Sequence, residues 1–237
     1  MKILIPFNST RCERFAATEF QSLLERVTEV KLAITPYYDE AETYFSIGNT
    51  ALLKKYEIAL DEKQYNLDGF LIKSIENNVV LAGARDRGSL YAVYDYFERI
   101  YGVRFLAKDC TVIKRQAFAV PNIDIISVPN FAIRNNRVYG YYESPLFSTR
   151  SRNTPIFNDA QEIQHFGYGL KRDYCDYGHN TLSVVRADVY GKEHPEFFVW
   201  RDGRAVDVCW SNGLTDDFEI DESMDVSVAK IMRDWIV

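Results

Sequence analysis

Between Leu90 and Tyr101 the apolar positions fall at steps of three and four: Leu90, Val93, Tyr94, Phe97, Ile100 and Tyr101. That spacing lines one face of an α-helix. The polar turn Arg85-Asp86-Arg87-Gly88 opens the run, and Gly102 stands where a helix stops in a left-handed residue. Val79 to Ala82 and Val103 to Leu106, on either side, read as short strands. An earlier helix is predicted from Thr10 and Glu13, spaced as a capping box, followed by Phe15, Ala16, Phe20, Leu23, Leu24 and Val27 on one side. Lys2 to Phe7, Val30 to Ile34 and Tyr44 to Gly48 read as further strands, and Asn49 as the N-cap of a short helix through Tyr56. Asp68 to Ile72 and Val79 to Ala82 flank the polar pair Asn77-Asn78, a hairpin pattern. Residues 1–125 therefore predict an α/β sandwich, a sheet with helices packed on it.

Pro121 and Pro129 frame an apolar segment that reads as the exit from this first domain, with the boundary at 125/126. Beyond it the style changes. Phe131 to Arg134, Thr181 to Val185 and Val206 to Trp210 read as strands separated by long polar stretches, and Asp225 to Val237 as the start of an amphipathic helix.

Composition narrows the function classes. The 237 residues carry 28 basic and 34 acidic side chains, a formal net charge of −6, and no Lys/Arg cluster, which argues against nucleic acid as a partner. No run approaches transmembrane length. The apolar start, Met1 to Ile5, stops at Pro6 and is too short for a signal peptide, so the chain reads as cytoplasmic, with secretion open to one trimmed of a leader. The cysteines at 12, 110, 175 and 209 form no CxxC pair and no Cys/His ligand spacing, which excludes a zinc motif and leaves four buried or partly buried thiols. The glycines around Arg87 lack the spacing and the Lys-Ser/Thr of a phosphate loop. No metal and no organic cofactor is called for.

Arg87, Gly88, Leu90, Tyr91, Val93, Tyr94, Asp95, Phe97, Glu98, Gly102, Val103, Arg104 and Phe105 stand in the register of a segment in the N-terminal α/β domain of the xylan α-glucuronidases. A related domain precedes the barrel of the β-hexosaminidases and occurs in a group of uncharacterised bacterial glycoside-hydrolase-like proteins, which the chain resembles most. The first helix carries the matching Ala16, Ala17, Glu19, Leu23 and Thr28; Asp68, Gly69, Phe70 and Ile72 match a D-G-F-x-I motif; and Pro129, Phe131 and Arg134 match the P-F-x-x-R that marks the first strand of a (β/α)8 barrel in these families. Gly178-His179, His194 to Phe197, Asp202-Gly203-Arg204, and Cys209 with Asn212 follow the bacterial group's order.

The resemblance implies an N-terminal α/β domain followed by the first strands and helices of a (β/α)8 barrel, incomplete because a whole barrel takes roughly 250 residues and 108 follow Pro129. It implies hydrolysis of a glycosidic bond, with glucuronate-bearing or related glycans as the substrate class. Such hydrolases use two carboxyl groups, which in these families come from later barrel strands, so no catalytic residue is assigned here; Glu143, Asp173, Asp176 and Asp188 sit in no motif. The substrate contacts expected are Arg134, whose planar fork suits a vicinal diol, together with His179, Arg186 and Asn212 near the ends of the predicted strands. His194 reads as a capping or packing residue, and Trp200 and Trp210 as core, with stacking on a sugar ring as the alternative. A rival reading is a non-catalytic module that binds glycan or holds a partner domain. The expected partners are an oligo- or polysaccharide, the rest of the barrel, and a second copy of the chain that covers the open barrel's apolar surface.

Overall fold

The computed structural model describes residues 1–66, 68–131, 134, 144–154, 186–201 and 203–206. The chain divides into two compact units, Met1–Asp173 and Tyr174–Val237. The first contains, in order, β1 (Lys2–Leu4), α1 (Arg11–Thr28), β2 (Ile34–Thr35), β3 (Tyr44–Ile47), α2 (Ala51–Lys55), α3 (Glu62–Tyr65), β4 (Phe70–Ile75), β5 (Asn78–Gly83), α4 (Asp86–Ile100), β6 (Arg104–Ala107), β7 (Cys110–Val112), β8 (Asp124–Ser127) and α5 (Pro145–Arg150). Six of the strands make one sheet in the order β2-β1-β3-β5-β4-β8. β1 runs parallel to β2 and β3, and β3 parallel to β5, while β4 is antiparallel to both β5 and β8. The expected boundary at 125/126 falls inside β8, which closes one edge of this sheet.

The sheet is covered on both faces, so its strands are apolar almost throughout, as burial of both sides requires. Ile3, Phe45, Ile72, Val79 and Leu81 face α1 and α4 in the main core. The alternate positions Leu4 and Tyr44 meet Leu52 of α2, and Leu71, Val80 and Ala82 meet Leu53 and Tyr65. The α1 capping box forms as predicted: the Glu13 N–H donates to Thr10 Oγ1 (3.1 Å), and the Thr10 N–H to Glu13 Oε2 (2.8 Å). At the end of α4, Gly102 takes the left-handed φ of 63° expected of a helix stop, and the Tyr101 and Val103 N–H groups both reach back to the Phe97 carbonyl (3.1 Å each).

The second unit carries α6 (Ala187–Tyr190), a 3-10 turn at Pro195–Phe197, and the antiparallel hairpin β9 (Val199–Arg201) and β10 (Arg204–Val206), turning at Gly203 with φ 73°. Among the described residues no helix is long and apolar enough to cross a membrane.

Several local expectations shift. Thr50, not Asn49, caps α2, because β3 turns at Gly48 (φ 83°) and brings the buried Thr50 hydroxyl under the Leu52 N–H (3.2 Å) and against Ser46 Oγ (2.6 Å). Of Val30 to Ile34 only Ile34 is strand, since the Leu32 carbonyl accepts from Gln21 Nε2 (2.7 Å) instead of a neighbouring strand. The short α3 escaped the periodicity altogether. Cys12 is buried as expected, but Cys110, on the β6–β7 ribbon, is exposed. Trp200 is half exposed, its indole N–H on the Pro195 carbonyl (3.1 Å), and is not core. His194 provides no side-chain cap; its Nδ1 lies 3.1 Å from Glu196 Oε1. The predicted strands over Thr181–Val185 and at Asp207–Trp210, Ala132 and Ile133 of the predicted Phe131–Arg134 strand, and the final helix lie outside the described residues.

Candidate functional site

The D-G-F, R-G and P-F-x-x-R motifs converge on one carboxylate. Asp68 lies just before β4 and its side chain is 1% exposed. Arg87, in the first turn of α4, donates Nε to Asp68 Oδ1 at 2.7 Å and places Nη2 2.5 Å from the same oxygen. Arg134 Nη2 donates to the other oxygen, Oδ2. A buried charge costs heavily unless paired and hydrogen-bonded, and here both oxygens have a guanidinium.

Backbone approach explains the glycines of the same motifs. A Cβ on Gly88 would lie 2.6 Å from the Gly69 carbonyl oxygen, and one on Gly83 2.5 Å from Gly88 Cα. Only bare backbone lets β4, β5 and the start of α4 come this close, and that closeness brings Arg87 to Asp68.

Arg134 also donates Nε to the Arg152 carbonyl (3.1 Å) and Nη1 to the Phe131 carbonyl (2.8 Å). Its backbone N–H donates to Thr154 Oγ1 (2.9 Å), and its carbonyl accepts from the Thr154 N–H (2.8 Å). The guanidinium lies 6.0 Å from the centre of the Tyr91 ring, whose hydroxyl donates to the Asn153 carbonyl (2.7 Å). Burial pushes the Tyr91 phenol up, well above its ordinary range. A cleft of about 230 Å³ opens beside this cluster, lined by Phe70, Tyr91, Ser127, Arg134, Ser151 and Asn153 among others.

Two more arginines of the segment after the sheet repeat the pattern. Arg150, closing α5, grips Glu19 of α1 with both ends of its fork (3.0 and 3.2 Å), and Tyr94 donates to the same carboxylate at 3.0 Å. Burial works against the Arg150 charge, but the hydrogen bonds and charge of Glu19 outweigh it and hold its pKa above the ordinary value. Arg152 Nη2 lies 2.7 Å from Glu98 Oε2 on α4. Arg134, Arg150 and Arg152 thus each hold an acidic residue from a different stretch: Asp68, Glu19 and Glu98.

This arrangement can bind and hold. Its buried carboxylates, Glu13, Glu19, Asp68 and Asp95, are tied to a helix start or to guanidinium groups. Of the residues predicted to contact substrate, Arg134 sits at the centre of the cluster. Arg186 lies in the second unit, just before α6, and pairs with Asp188 at the surface (Nε to Oδ1, 2.9 Å), which lowers the Asp188 pKa. His179 and Asn212 lie outside the described residues. Sequence reasoning missed Asp68 as the hub and Arg150 and Arg152 as holding groups. Asp68 stood in a quoted motif; the two arginines carried no signal, since their partners are distant in sequence.

Residues 1–96 match the family described as "Glycosyl hydrolase family 67 N-terminus". A solved structure of a family GH115 4-O-methyl-α-glucuronidase, with specificity for decorated arabinogalactans, superposes over 98% of this chain with a TM-score of 0.58 and 11% identity. Two mutant Streptomyces plicatus β-hexosaminidases in complex with the product GlcNAc match 56% of the chain at 16% identity with a TM-score of 0.36. No curated protein matches. The chain spans 39% of the glucuronidase and 23% of the hexosaminidases. The N-terminal 96 residues are thus related to a glycoside hydrolase domain, and the fold is shared with a glucuronidase.

Proposed function

We propose that this chain is the N-terminal part of a carbohydrate-active enzyme, in which residues 1–125 form an accessory α/β domain and residues 126–237 begin a (β/α)8 barrel whose later strands supply the catalytic carboxylates. The activity of the whole is hydrolysis of a glycosidic bond in a glucuronate-bearing or related glycan. The observation that carries the reading is the convergence of Asp68, Arg87 and Arg134, which fastens the start of the second segment to the sheet domain through a buried carboxylate. In this reading the sheet domain holds the entry to the barrel. Arg134 positions the wall of the cleft beside it, and His179, Arg186 and Asn212 stand as sugar contacts.

The test is hydrolysis of aryl glucuronides and aryl N-acetylglucosaminides by this chain and by the full product of its native reading frame. No turnover by residues 1–237 and turnover by a longer product is the expected result. Turnover by the 237-residue chain, or a frame that stops at Val237, overturns it. The second reading, a non-catalytic glycan-binding or scaffolding module, is favoured by the tied state of every described buried carboxylate; glycan binding without turnover by the full native product would establish it. On the first reading the 237-residue chain pairs with a second copy in solution to cover the open barrel's apolar surface, and a monomeric mass by light scattering at tens of micromolar would refute that.

A further inference from the structure

After β1 the chain turns through α1 to β2 on one side, and after β3 it passes through α2 and α3 to β4 and β5 on the other. α1 packs on one face of the sheet and α2 on the opposite face. The direction of winding therefore reverses between β1 and β3. In open α/β sheets, ligands bind in the crevice beyond the carboxyl ends of the strands at such a reversal. Residues 5–10 after β1, 36–38 after β2 and 48–50 after β3 stand at that edge.

Two aromatic rings are displayed there. Phe7 is 72% exposed and Tyr37 71%, and the rings meet edge to face, with centroids 6.0 Å apart and planes at 62°. Both are held out by their backbones. Phe7 and Asn8 are the central residues of a turn closed by the Ser9 N–H on the Pro6 carbonyl (3.0 Å), and Arg14 Nη1 donates to the Ser9 carbonyl. Tyr37 follows Pro36, and its N–H donates to Thr35 Oγ1 (3.1 Å). Apolar side chains scattered singly on a surface need no explanation. Two large rings paired in water on separately pinned turns leave apolar surface exposed that folding does not use.

The ground beneath them selects the charge of a ligand. Glu13 is buried, with Oε2 accepting from the Thr10 N–H (2.8 Å) and Oε1 facing the Asn49 N–H at 3.4 Å, so one carboxylate ties the loop after β1 to the loop after β3. An anion approaching this edge meets a like charge; a neutral molecule does not. Asn8 and Asn49 are exposed on the same two loops, and a carboxamide both donates to and accepts from hydroxyl groups.

We propose that Phe7 and Tyr37 form a stacking platform for a neutral, β-linked oligosaccharide, with Asn8 and Asn49 meeting its hydroxyls. Equatorially linked pyranoses gather C–H bonds on their faces and hydroxyls on their rims, which suits aromatic faces flanked by amides. The choice of a glycan rests on the glycoside-hydrolase reading above; the placement of the site rests on the rings and the topology.

The test is amide-shift titration of the 237-residue chain with xylohexaose, with cellohexaose, and with the β-1,4-linked glucuronate hexamer that differs from cellohexaose in its carboxylates. Shifts at residues 5–10, 36–38 and 48–50 with a neutral hexasaccharide are expected. Phe7→Leu and Tyr37→Leu, which keep apolar bulk without an aromatic face, weaken binding by about fivefold or more, while Phe7→Tyr stays near wild type. Melting temperatures are unchanged in all three, because both rings are exposed. No binding of either neutral hexasaccharide at millimolar concentration, wild-type affinity in both leucine variants, or equally tight binding of the glucuronate hexamer would overturn the assignment. So would a dimeric mass that becomes monomeric in the Phe7→Ser, Tyr37→Ser double variant, which would give the rings to a second copy of the chain. The readout is separate from turnover: binding here by a chain whose longer product hydrolyses no glycoside keeps the site and strikes the hydrolase reading, and turnover without binding here does the reverse.

Discussion

Replacing Asp68 by asparagine removes one charge from a place where three were balanced by geometry. The residue that remains can accept from one guanidinium but cannot neutralise two, and Arg87, at 6% side-chain exposure, has no route to solvent. Breaking a buried ion pair from one side costs about 3–5 kcal/mol, a large share of the roughly 5–15 kcal/mol that stabilises a typical domain. For a protein of this size that corresponds to a fall in melting temperature of roughly 10 °C. The internal control is Asp124→Asn. Asp124 meets Lys73 at 2.8 Å, close to the 2.7 Å between Arg87 Nε and Asp68, but both side chains are well exposed, at 63% and 41%. Exposed pairs contribute about 0–1 kcal/mol. Urea unfolding followed by circular dichroism should therefore separate two pairs of similar length by several kcal/mol, with unchanged slope. Arg134→Met, which leaves the Arg87–Asp68 pair intact, should fall between them. A loss of under about 1 kcal/mol in Asp68→Asn would refute the claim that this carboxylate fastens the two segments.

Three further outcomes follow from the same geometry. Gly88→Ala should destabilise by about 1–3 kcal/mol, although helix propensity alone predicts a gain near 1 kcal/mol, because the added Cβ meets the Gly69 carbonyl at 2.6 Å; thermal melts give the sign. A double-mutant cycle on Glu19→Gln and Arg150→Met should show a coupling of at least about 1 kcal/mol, since the pair is bidentate and mostly buried; additive losses would mean α5 is held by packing alone. Burial raises the phenol pKa of Tyr91, and burial with the Glu19 charge raises that of Tyr94. In the unfolded chain both ionise near pH 10, so the folded state binds more protons above that pH. Their contribution is complete below pH 10 and is lost at about 1.4 kcal/mol per pH unit for each tyrosine as pH rises further. Phenolate absorbance from these two should appear only with unfolding, and a smooth titration in the folded state would contradict it.

The fold was legible where one local rule decided it. The capping box at Thr10 and Glu13 and the three-four spacing from Leu90 to Tyr101 each carry their answer within a dozen residues, and both helices form there. The hairpin of β4 and β5 was visible as two apolar runs about a polar turn. Reading failed where a side chain from elsewhere took over a backbone group. Gln21 claims the Leu32 carbonyl and cuts a strand short, and the turn at Gly48 moves the α2 cap onto Thr50. The four-residue α3 was too short to show a period.

The site was legible as parts and illegible as a whole, and the reason is topological. Asp68 and Arg87 lie at opposite ends of a hairpin whose pairing register, Phe70 with Gly83, returns the chain to its starting point. Any sequence that folds into this hairpin sets the residue before β4 beside the residue after β5, so the D-G-F and R-G motifs are two halves of one contact. Arg134 comes from 66 residues away, and nothing in P-F-x-x-R says whether its guanidinium meets a sugar or a carboxylate of its own chain. That depends on whether a buried charge awaits it. Asp68 has two oxygens and α4 supplies one arginine; with Arg87 on Oδ1 alone, the second oxygen would be a buried anionic acceptor without a cation. The hairpin thus creates a demand that it does not itself fill, and the arginine which fills it marks where the next segment is attached. An arginine that follows such a hairpin in sequence is therefore best read against the hairpin's unmatched buried acids before a ligand is assigned to it.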